Sequence, residues 1–327
     1  MDILNFNLIH SIKESSLFKP DNALIRDAVT FWCENREKAL IKYGHISSWD
    51  TSFVTNMEDL FSGKNTFNDN ISYWNTSNVV NMGWMFSEAT SFNQPLEKWD
   101  VSKVINISWM FFQAKSFNQP LENWNVSNVT NMYAVFEGAD SFNQPLNNWN
   151  TSNVTNMGDL FYEAIEFNQP LEKWDVSKVT SMNSMFVGTL SFNQPLEKWN
   201  VSEVTDMACM FCEASSFNQP LEKWNVSNVN NMIGMFFKAE SFDQPLNKWD
   251  VSNVTTMENM FHEALNFNHP LGGWDVSNVT DMRSMFEETS SFNQPLEDWN
   301  VSDIIDTRDM FTNAEAFELD NAPWYRE

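Results

Sequence analysis

The chain has 327 residues, with 19 Lys and Arg against 44 Asp and Glu, which gives a formal net charge of −25. An acidic excess of this size repels phosphate backbones and anionic lipid headgroups, so it disfavours a nucleic-acid partner and docking on an acidic membrane surface. Three cysteines exclude a disulfide framework, and the abundance of Phe, Met and Trp argues against a disordered chain.

The first predicted elements are two helices within residues 1–48. Asp21 or Asn22 can cap a helix over residues 23–32, and residues 34–43 form a second helical stretch. Four apolar side chains share a stripe of the first helix, namely Leu24, Ala28, Phe31 and Trp32. We expect this segment to be a helical cap over the first repeat.

Neither a signal peptide nor a membrane helix is predicted. The N-terminus has no basic region before its apolar residues and no small-residue cleavage site. No run of about 18 apolar residues occurs, so membrane insertion is not expected. The location is left open: intracellular or assembly-associated, unless another route exports the chain.

The chain from Trp49 to Pro323 is a tandem repeat. Trp recurs every 25 residues from Trp49 to Trp324, and Phe keeps the same period twice, from Phe61 and from Phe67. Eleven units without an insertion fill residues 49–323, with the consensus W-[DN]-[VT]-S-x-V-T-N-M-x-x-M-F-x-x-A-x-S-F-N-Q-P-L-E-K. A constant period of this length predicts coils that stack on their neighbours.

Within a unit, apolar spacing predicts one helix and one short strand. In the third unit Ile107, Met110, Phe111 and Ala114 follow a helical stripe. The residue before this stripe is Asn, Asp, Ser or Thr in all eleven units, a set typical of helix N-caps. Val104 and its equivalents leave room for three or four extended residues, enough for a short parallel strand.

The predicted fold is therefore an α/β, right-handed, leucine-rich-repeat-like solenoid of eleven 25-residue coils, each with a short parallel strand and a short helix. Strands stack more closely than helices, so the strands should line a concave side. The predicted domains are a helical N-terminal cap at 1–48, the solenoid at 49–323 and a C-terminal tail at 324–327.

The unit W-D-V-S-x-V-T-x-M-x-x-M-F-x-x-A-x-x-F-N-Q-P-L resembles the bacterial surface protein 26-residue repeat. That group is related to BspA-like leucine-rich repeats and to a Mycoplasma-type domain of unknown function. The resemblance covers residues from Trp49 to about Phe317. It implies a surface or interaction protein rather than an enzyme, although the signal peptide typical of bacterial members is not seen here.

The last unit departs from the consensus. Thr307 replaces Met, and Leu319-Asp320 replaces Gln-Pro. This drift is typical of a terminal cap, but few residues follow Pro323, so the cap is thin. The C-terminal edge is therefore a candidate site for self-association.

No residue pattern predicts catalysis, a cofactor or a metal. Nucleophile elbows, phosphate loops and zinc-protease motifs are absent. The pair Cys209 and Cys212 forms a C-x-x-C that could have a redox role, but it occupies the most variable positions of its unit. We expect neither an enzyme nor a bound cofactor or metal.

Candidate interaction residues lie outside the repeated columns. Trp84, Trp109, Phe112 and Tyr133 fall at or near outward positions of the predicted helices in three consecutive units, where exposed aromatic side chains favour an interface. Lateral packing between units is the alternative. On the strand side the free positions include Phe53, Asn78, Lys103 and Asn128, which suit hydrogen bonding along a groove.

The sequence thus predicts a non-enzymatic repeat protein that presents a recognition or scaffolding surface to a protein partner. Two alternatives remain: a structural component of a surface layer or particle, and a carbohydrate-binding adhesin. Neither the partner nor the face that binds it can be read from the sequence.

Overall fold

The computed structural model describes residues 17–301 and 305–326; the first 16 residues of the predicted cap lie outside this range. Helix α1 spans Asn22–Glu34 and helix α2 spans Arg36–Tyr43, and 3₁₀ turns occupy Ile46–Ser48 and Leu319–Asn321. Asp21 caps α1 by accepting hydrogen bonds from the amides of Ala23 and Leu24. No helix in the described part of the chain is both long and apolar enough to cross a bilayer.

The buried face of α1 shares only two of the four residues of the predicted stripe, because Leu24 is exposed and Phe31 is only partly buried. Ala28 and Trp32 are buried as expected, and they are joined by Ile25 and Val29. Trp32 also donates a hydrogen bond through its indole nitrogen to Asp69 of the first unit, at 2.8 Å. The two helices therefore pack against the start of the repeats.

The predicted α/β solenoid with a strand and a helix in each coil is wrong. Within the described residues of the eleven units there is no α-helix. Successive units make single parallel bridges, from Asn56 with Asn81 to Asp281 with Asp306, and these do not extend into strands of a sheet. The leucine-rich-repeat likeness and the concave strand face both depended on a helix in every unit, so they lose their basis.

Each unit instead contributes what we call a ladder segment, residues 56–63 of the first unit and their equivalents. Alternate amides donate to carbonyls of the next unit at 2.8–3.0 Å, so that residues 57, 59, 61 and 63 bond to residues 81, 83, 85 and 87. The amides between them turn back within the unit, as Leu60 does to the carbonyl of Met57 at 3.3 Å. Alternate backbone amides of the ladder segment thus bond to the next unit, and the amides between them bond within their own unit.

Two left-handed residues per unit explain why no helix forms. The residues equivalent to Asp59 and to Gly63 have φ between +52° and +67° in all eleven units. An α-helix of L-residues cannot contain this conformation without breaking its hydrogen-bond series. The column that begins at Asn56, predicted as N-caps, forms turns instead: the Asn56 side chain accepts from the amide two residues later, at 2.9 Å.

The aromatic columns set the distance between units. Rings of the Phe61 column lie 5.4–5.7 Å from their equivalents in the next unit and are nearly parallel. Packed helices need 8–10 Å between their axes. One helix per unit would therefore separate the rings, and the ladder segment is the backbone that keeps them stacked.

Polar groups inside the stack are paired in every unit. The indole nitrogen of each column Trp from Trp74 onward donates to a carbonyl 28 residues earlier, for example Trp174 to Leu146 at 2.9 Å. Asn168 accepts from both the amide of Asn193 and the side chain of Gln194. No buried side-chain nitrogen or oxygen of the described residues lacks a hydrogen-bond partner.

Candidate functional site

Within the ladder segment, four columns carry most of the differences between units. They begin at Glu58, Asp59, Ser62 and Gly63 and contain residues of every chemical class, whereas the Trp, Phe, Val and Asn columns are nearly constant. Contacts between these four columns occur in several units, as between Trp84 and Phe112. We call this continuous surface the variable face.

The structure brings together the four aromatic residues predicted from the sequence. Trp84 and Trp109 are stacked with ring centroids 4.5 Å apart and an angle of 11° between planes. Phe112 meets Trp109 edge-on at 5.0 Å, and Tyr133 lies 5.2 Å from Trp109 on the other side. Trp84 is 36% exposed, and the other three are partly exposed. We call this group the aromatic patch.

Carboxylates continue the surface beyond Tyr133. The Tyr133 side chain hydrogen-bonds to Asp159, and burial together with this bond raises the pKa of the Tyr133 hydroxyl. Burial, followed by repulsion from Asp159 and Glu163, raises the pKa of Glu137 to about 7. A half-buried carboxyl group among like charges is stabilised by any cation that approaches it.

Cationic side chains are distributed unevenly along the variable face. In units 1–6 its four columns contain no Lys, Arg or His, whereas units 8–11 contain Lys238, His262, Arg283 and Arg308. Arg283 already pairs with Glu258 at 2.9 Å and with Asp281 at 2.8 Å. The aromatic patch therefore lies in the half of the face whose carboxylates have no cation in these columns.

The predicted strand-side residues take part in bonds between units. Asn78 donates to the carbonyl of Ser52 at 3.0 Å and accepts from Lys103 at 2.7 Å, and Asn128 donates to the carbonyl of Ser102 at 2.7 Å. Phe53 is 64% exposed. Three of these four side chains thus have a structural role, which leaves fewer free donors for a ligand.

The cysteine pair forms a thiol–thiol contact rather than a disulfide. Cys209 and Cys212 are both free. The hydrogen bond from Cys212 lowers the pKa of Cys209, while the same bond and burial raise the pKa of Cys212. The pair lies on the variable face, three units beyond Tyr133.

One group on the variable face has donors suited to a metal ion. The ligand atoms of His262, Glu287 and Glu288 all lie within 4.8 Å of one another, and zinc binds these residue types. His262 already has Glu287 at 3.7 Å from one ring nitrogen and Glu263 at 3.5 Å from the other. Two glutamates therefore already face the two ring nitrogens of His262, and the absence of a metal stays a prediction.

Sequence reasoning missed several members of the surface. Glu137 and Asp159 were overlooked because acidic residues are common throughout the chain, and their column positions were the only available signal. Outside the variable face, in the column of Thr55, Val80 and Ile105 are 38% and 50% exposed, at a position that is Thr in most other units.

The repeated region matches a known family. The family described as "Mycoplasma protein of unknown function, DUF285" matches three overlapping segments, residues 32–149, 135–244 and 213–324. Three tandem matches confirm the repeat organisation, and together they include all but the two ends of the chain. No curated protein matches the sequence.

Proposed function

We propose that this chain, which belongs to the DUF285 family, is a non-enzymatic recognition protein that binds a partner protein through the variable face, with the aromatic patch as its anchor. One observation carries the proposal: within the ladder segment the columns that stack are nearly constant, and the differences fall in the four columns of the variable face. Repetition favours an extended surface, whereas catalysis requires a single constellation of residues. A role like that of BspA-like surface proteins is one form that this function could take.

The chemistry of the patch favours an apolar and basic partner segment. Two stacked indoles offer a flat apolar surface of the kind that dominates interface energies. Arginine packs on such rings and also pairs with carboxylates. Glu137 and Asp159 lie next to Tyr133, in the part of the face without cations. Binding should therefore weaken as the salt concentration rises.

The test is the double substitution Trp109→Ser with Phe112→Ser. In the column of Trp109, Ser already occurs at Ser184 and Ser284, both with φ of +53°. In the column of Phe112, it occurs at Ser62 and Ser87. The fold should therefore accept both changes. We expect the melting temperature to change little and the capture of partner from a lysate of the source organism to fall at least tenfold.

The matched control is Phe237→Ser, which removes an aromatic side chain from the same column as Phe112 but outside the aromatic patch. It should retain the partners that the double variant loses, as identified by mass spectrometry. If the double variant unfolds, the patch is packing between units. If it keeps every partner, or if only glycans on an array bind the wild type, the proposal is wrong.

A further inference from the structure

Cys209 and Cys212 stand at the two ends of one turn of the ladder segment. The amide of Cys212 donates to the carbonyl of Cys209 at 3.0 Å, and such a bond closes a four-residue turn whose end Cα atoms lie less than about 7 Å apart. Cysteines joined by a disulfide have their Cα atoms about 4.4–6.8 Å apart. The same turn recurs in other units, as from Ser62 to Asp59 at 3.1 Å. Unit 7 is the one unit with cysteine at both ends.

The neighbouring units hold this turn in place from both sides. The amide of Cys209 donates to the carbonyl of Ile233 at 2.7 Å, and the carbonyl of Cys212 accepts from the amide of Gly188 at 2.8 Å. Between the two cysteines, the ring of Phe211 is buried in the aromatic stack. The thiols already share a hydrogen bond. A disulfide therefore requires rotation of two side chains, with little further ordering of the backbone, which favours bonding within the pair.

The pair is also accessible from solvent. Both cysteines are partly exposed. Gly234, which follows Cys209 in its column, is the one glycine of that column. A Cβ atom at residue 234 would lie 3.2 Å from the Sγ of Cys209, so any other residue there would press on the sulfur. Glycine leaves that side of Cys209 free of a side chain from residue 234.

The two thiols differ in their readiness to react. The hydrogen bond from Cys212 lowers the pKa of Cys209, against the opposing effects of burial and of Asp206 and Asp159. The same bond, burial and Glu213 raise the pKa of Cys212, and Lys238 opposes them. Because the thiolate is the attacking form in thiol–disulfide exchange, Cys209 reacts first and Cys212 second.

We propose that Cys209 and Cys212 form a redox site, at which a small cationic disulfide compound oxidises both thiols to one intramolecular disulfide. The Cys209 thiolate attacks one sulfur of the compound, breaks its S–S bond and releases the first thiol. The sulfur of Cys212 then gives up its proton and attacks the Cys209 sulfur of the mixed disulfide, which releases the second thiol. The protein loses two electrons and two protons, and the compound gains them. The reaction is stoichiometric, so it requires no catalytic site.

The charge around the pair sets the class of compound. Asp159, Asp206 and Glu213 act on the two thiols, and Lys238 is the one cation that does so. The whole chain carries a net charge of −25. A field of this sign draws a cationic disulfide toward the pair and repels an anionic one. The preference should weaken as salt concentration rises.

The experiment treats the reduced full chain with cystamine, a disulfide with two ammonium groups, and follows the products by mass spectrometry after acid quenching. We expect the loss of two hydrogen atoms, a linked peptide containing Cys209 and Cys212, and reversal by dithiothreitol. Cys33 in α1 is the internal control: it is exposed and outside this turn, so it should carry a cysteamine adduct. Adducts on both Cys209 and Cys212 without a linked peptide would refute the proposal, as would a reduced pair beside a modified Cys33.

Single variants in the Cys33→Ser background test the order of attack. Cys212→Ser keeps a hydroxyl donor beside Cys209 and should accumulate the cysteamine adduct at least about tenfold faster than Cys209→Ser. Both columns already contain serine, at Ser184 and at Ser62, so melting temperatures should change little. Equal rates for the two variants would contradict the order. The linked peptide in the wild type decides the main point even if a variant does not fold.

A second pair of reagents tests the charge preference. Cystamine and the dianionic dithiodipropionate are compared on the Cys33→Ser protein, each rate being divided by that of the same reagent with mercaptoethanol. At low salt we expect cystamine to be favoured about tenfold, and less at high salt. Equal normalised rates would overturn the cationic class. No partner protein is present in these assays, so their result is independent of the proposal for the aromatic patch.

Discussion

Replacement of Phe186 by Ala tests the aromatic stack where it is most regular. Phe186 is fully buried, and its ring centroid lies 5.7 Å from Phe161, 5.6 Å from Phe211 and 4.3 Å from Phe192. Removing a buried Phe side chain costs about 3–5 kcal/mol. This cost already includes lost contacts, and the three aromatic pairs of Phe186, each favourable by about 0.5–1.5 kcal/mol, place it in the upper part of that range, so we expect a loss of about 4–5 kcal/mol.

Urea denaturation followed by tryptophan fluorescence measures this loss, since every unit contains a column Trp. The control is Phe53→Ala, a side chain that is 64% exposed, for which we expect a change within about 0.5 kcal/mol. Unfolding of a repeat array can lose its cooperativity, so an unchanged slope of free energy against urea must accompany the comparison. If the two variants lose equal stability, the rings do not form the core described above.

Three further predictions concern the cap, the amide ladder and pH. Deletion of residues 1–43 removes α1 and α2 from the first unit, so we expect increased light scattering from aggregation, and a soluble protein with unchanged cooperativity would contradict this. Asn218→Ala leaves the amide of Asp243 and the side chain of Gln244 without their acceptor, so it should lower the free energy of unfolding by about 1–3 kcal/mol in urea denaturation. The control Asn228→Ala removes an exposed donor and should lower it by less than about 1 kcal/mol. The pKa of Glu137 is raised from 4.5 to about 7 in the folded state, so the folded protein binds this proton more tightly and its stability falls as pH rises from about 4.5 to 7. Glu137→Gln should flatten this decline when the melting temperature is measured across the same pH range. Parallel curves of melting temperature against pH for the two proteins would contradict the raised pKa.

The repeat could be predicted from the sequence because stacking places identical side chains against each other. A Trp, two Phe and a Val at a 25-residue period have no other physical explanation than contact between equivalent positions. The structure bears this out at Trp174, which stacks on Trp199 at 6.5 Å with parallel planes. The N-terminal helices could also be predicted, since caps and apolar spacing are local signals, but the stripe placed only Ala28 and Trp32 of the buried face of α1 correctly.

The helix in each unit was predicted wrongly even though its burial pattern was right. Ile107, Met110, Phe111 and Ala114 are all buried, as a helical stripe requires. A ladder with two left-handed residues places the same residues inward, so periodicity alone cannot distinguish the two. Glycine in the Gly63 column, as at Gly138 and Gly188, was a local signal against a helix.

The candidate site was predicted only in part, for a related reason. The aromatic residues stand out because they interrupt columns of small or polar residues. Asn78 and Lys103 lie in a column of mostly polar residues, so they do not stand out in the sequence. Their bonds to neighbouring units depend on the geometry of the stack. The environment of Glu137 could not be predicted either, because its like-charged neighbours Asp159 and Glu163 belong to the next unit.

The same geometry explains why the variable face can vary. Trp84 and Trp109 have φ of +59° and +60°, a conformation that costs an L-residue of this size about 1–2 kcal/mol. The conformation recurs at this position in all eleven units, with Asp, Ala, Ser, Cys, Gly and Asn as well as Trp, so it belongs to the ladder and is independent of the side chain. The backbone bonds of each unit to its neighbours, rather than local propensity, hold the position in place. A side chain at this column is therefore nearly free of structural demands, and selection for a partner can act on it without disturbing the stack beneath.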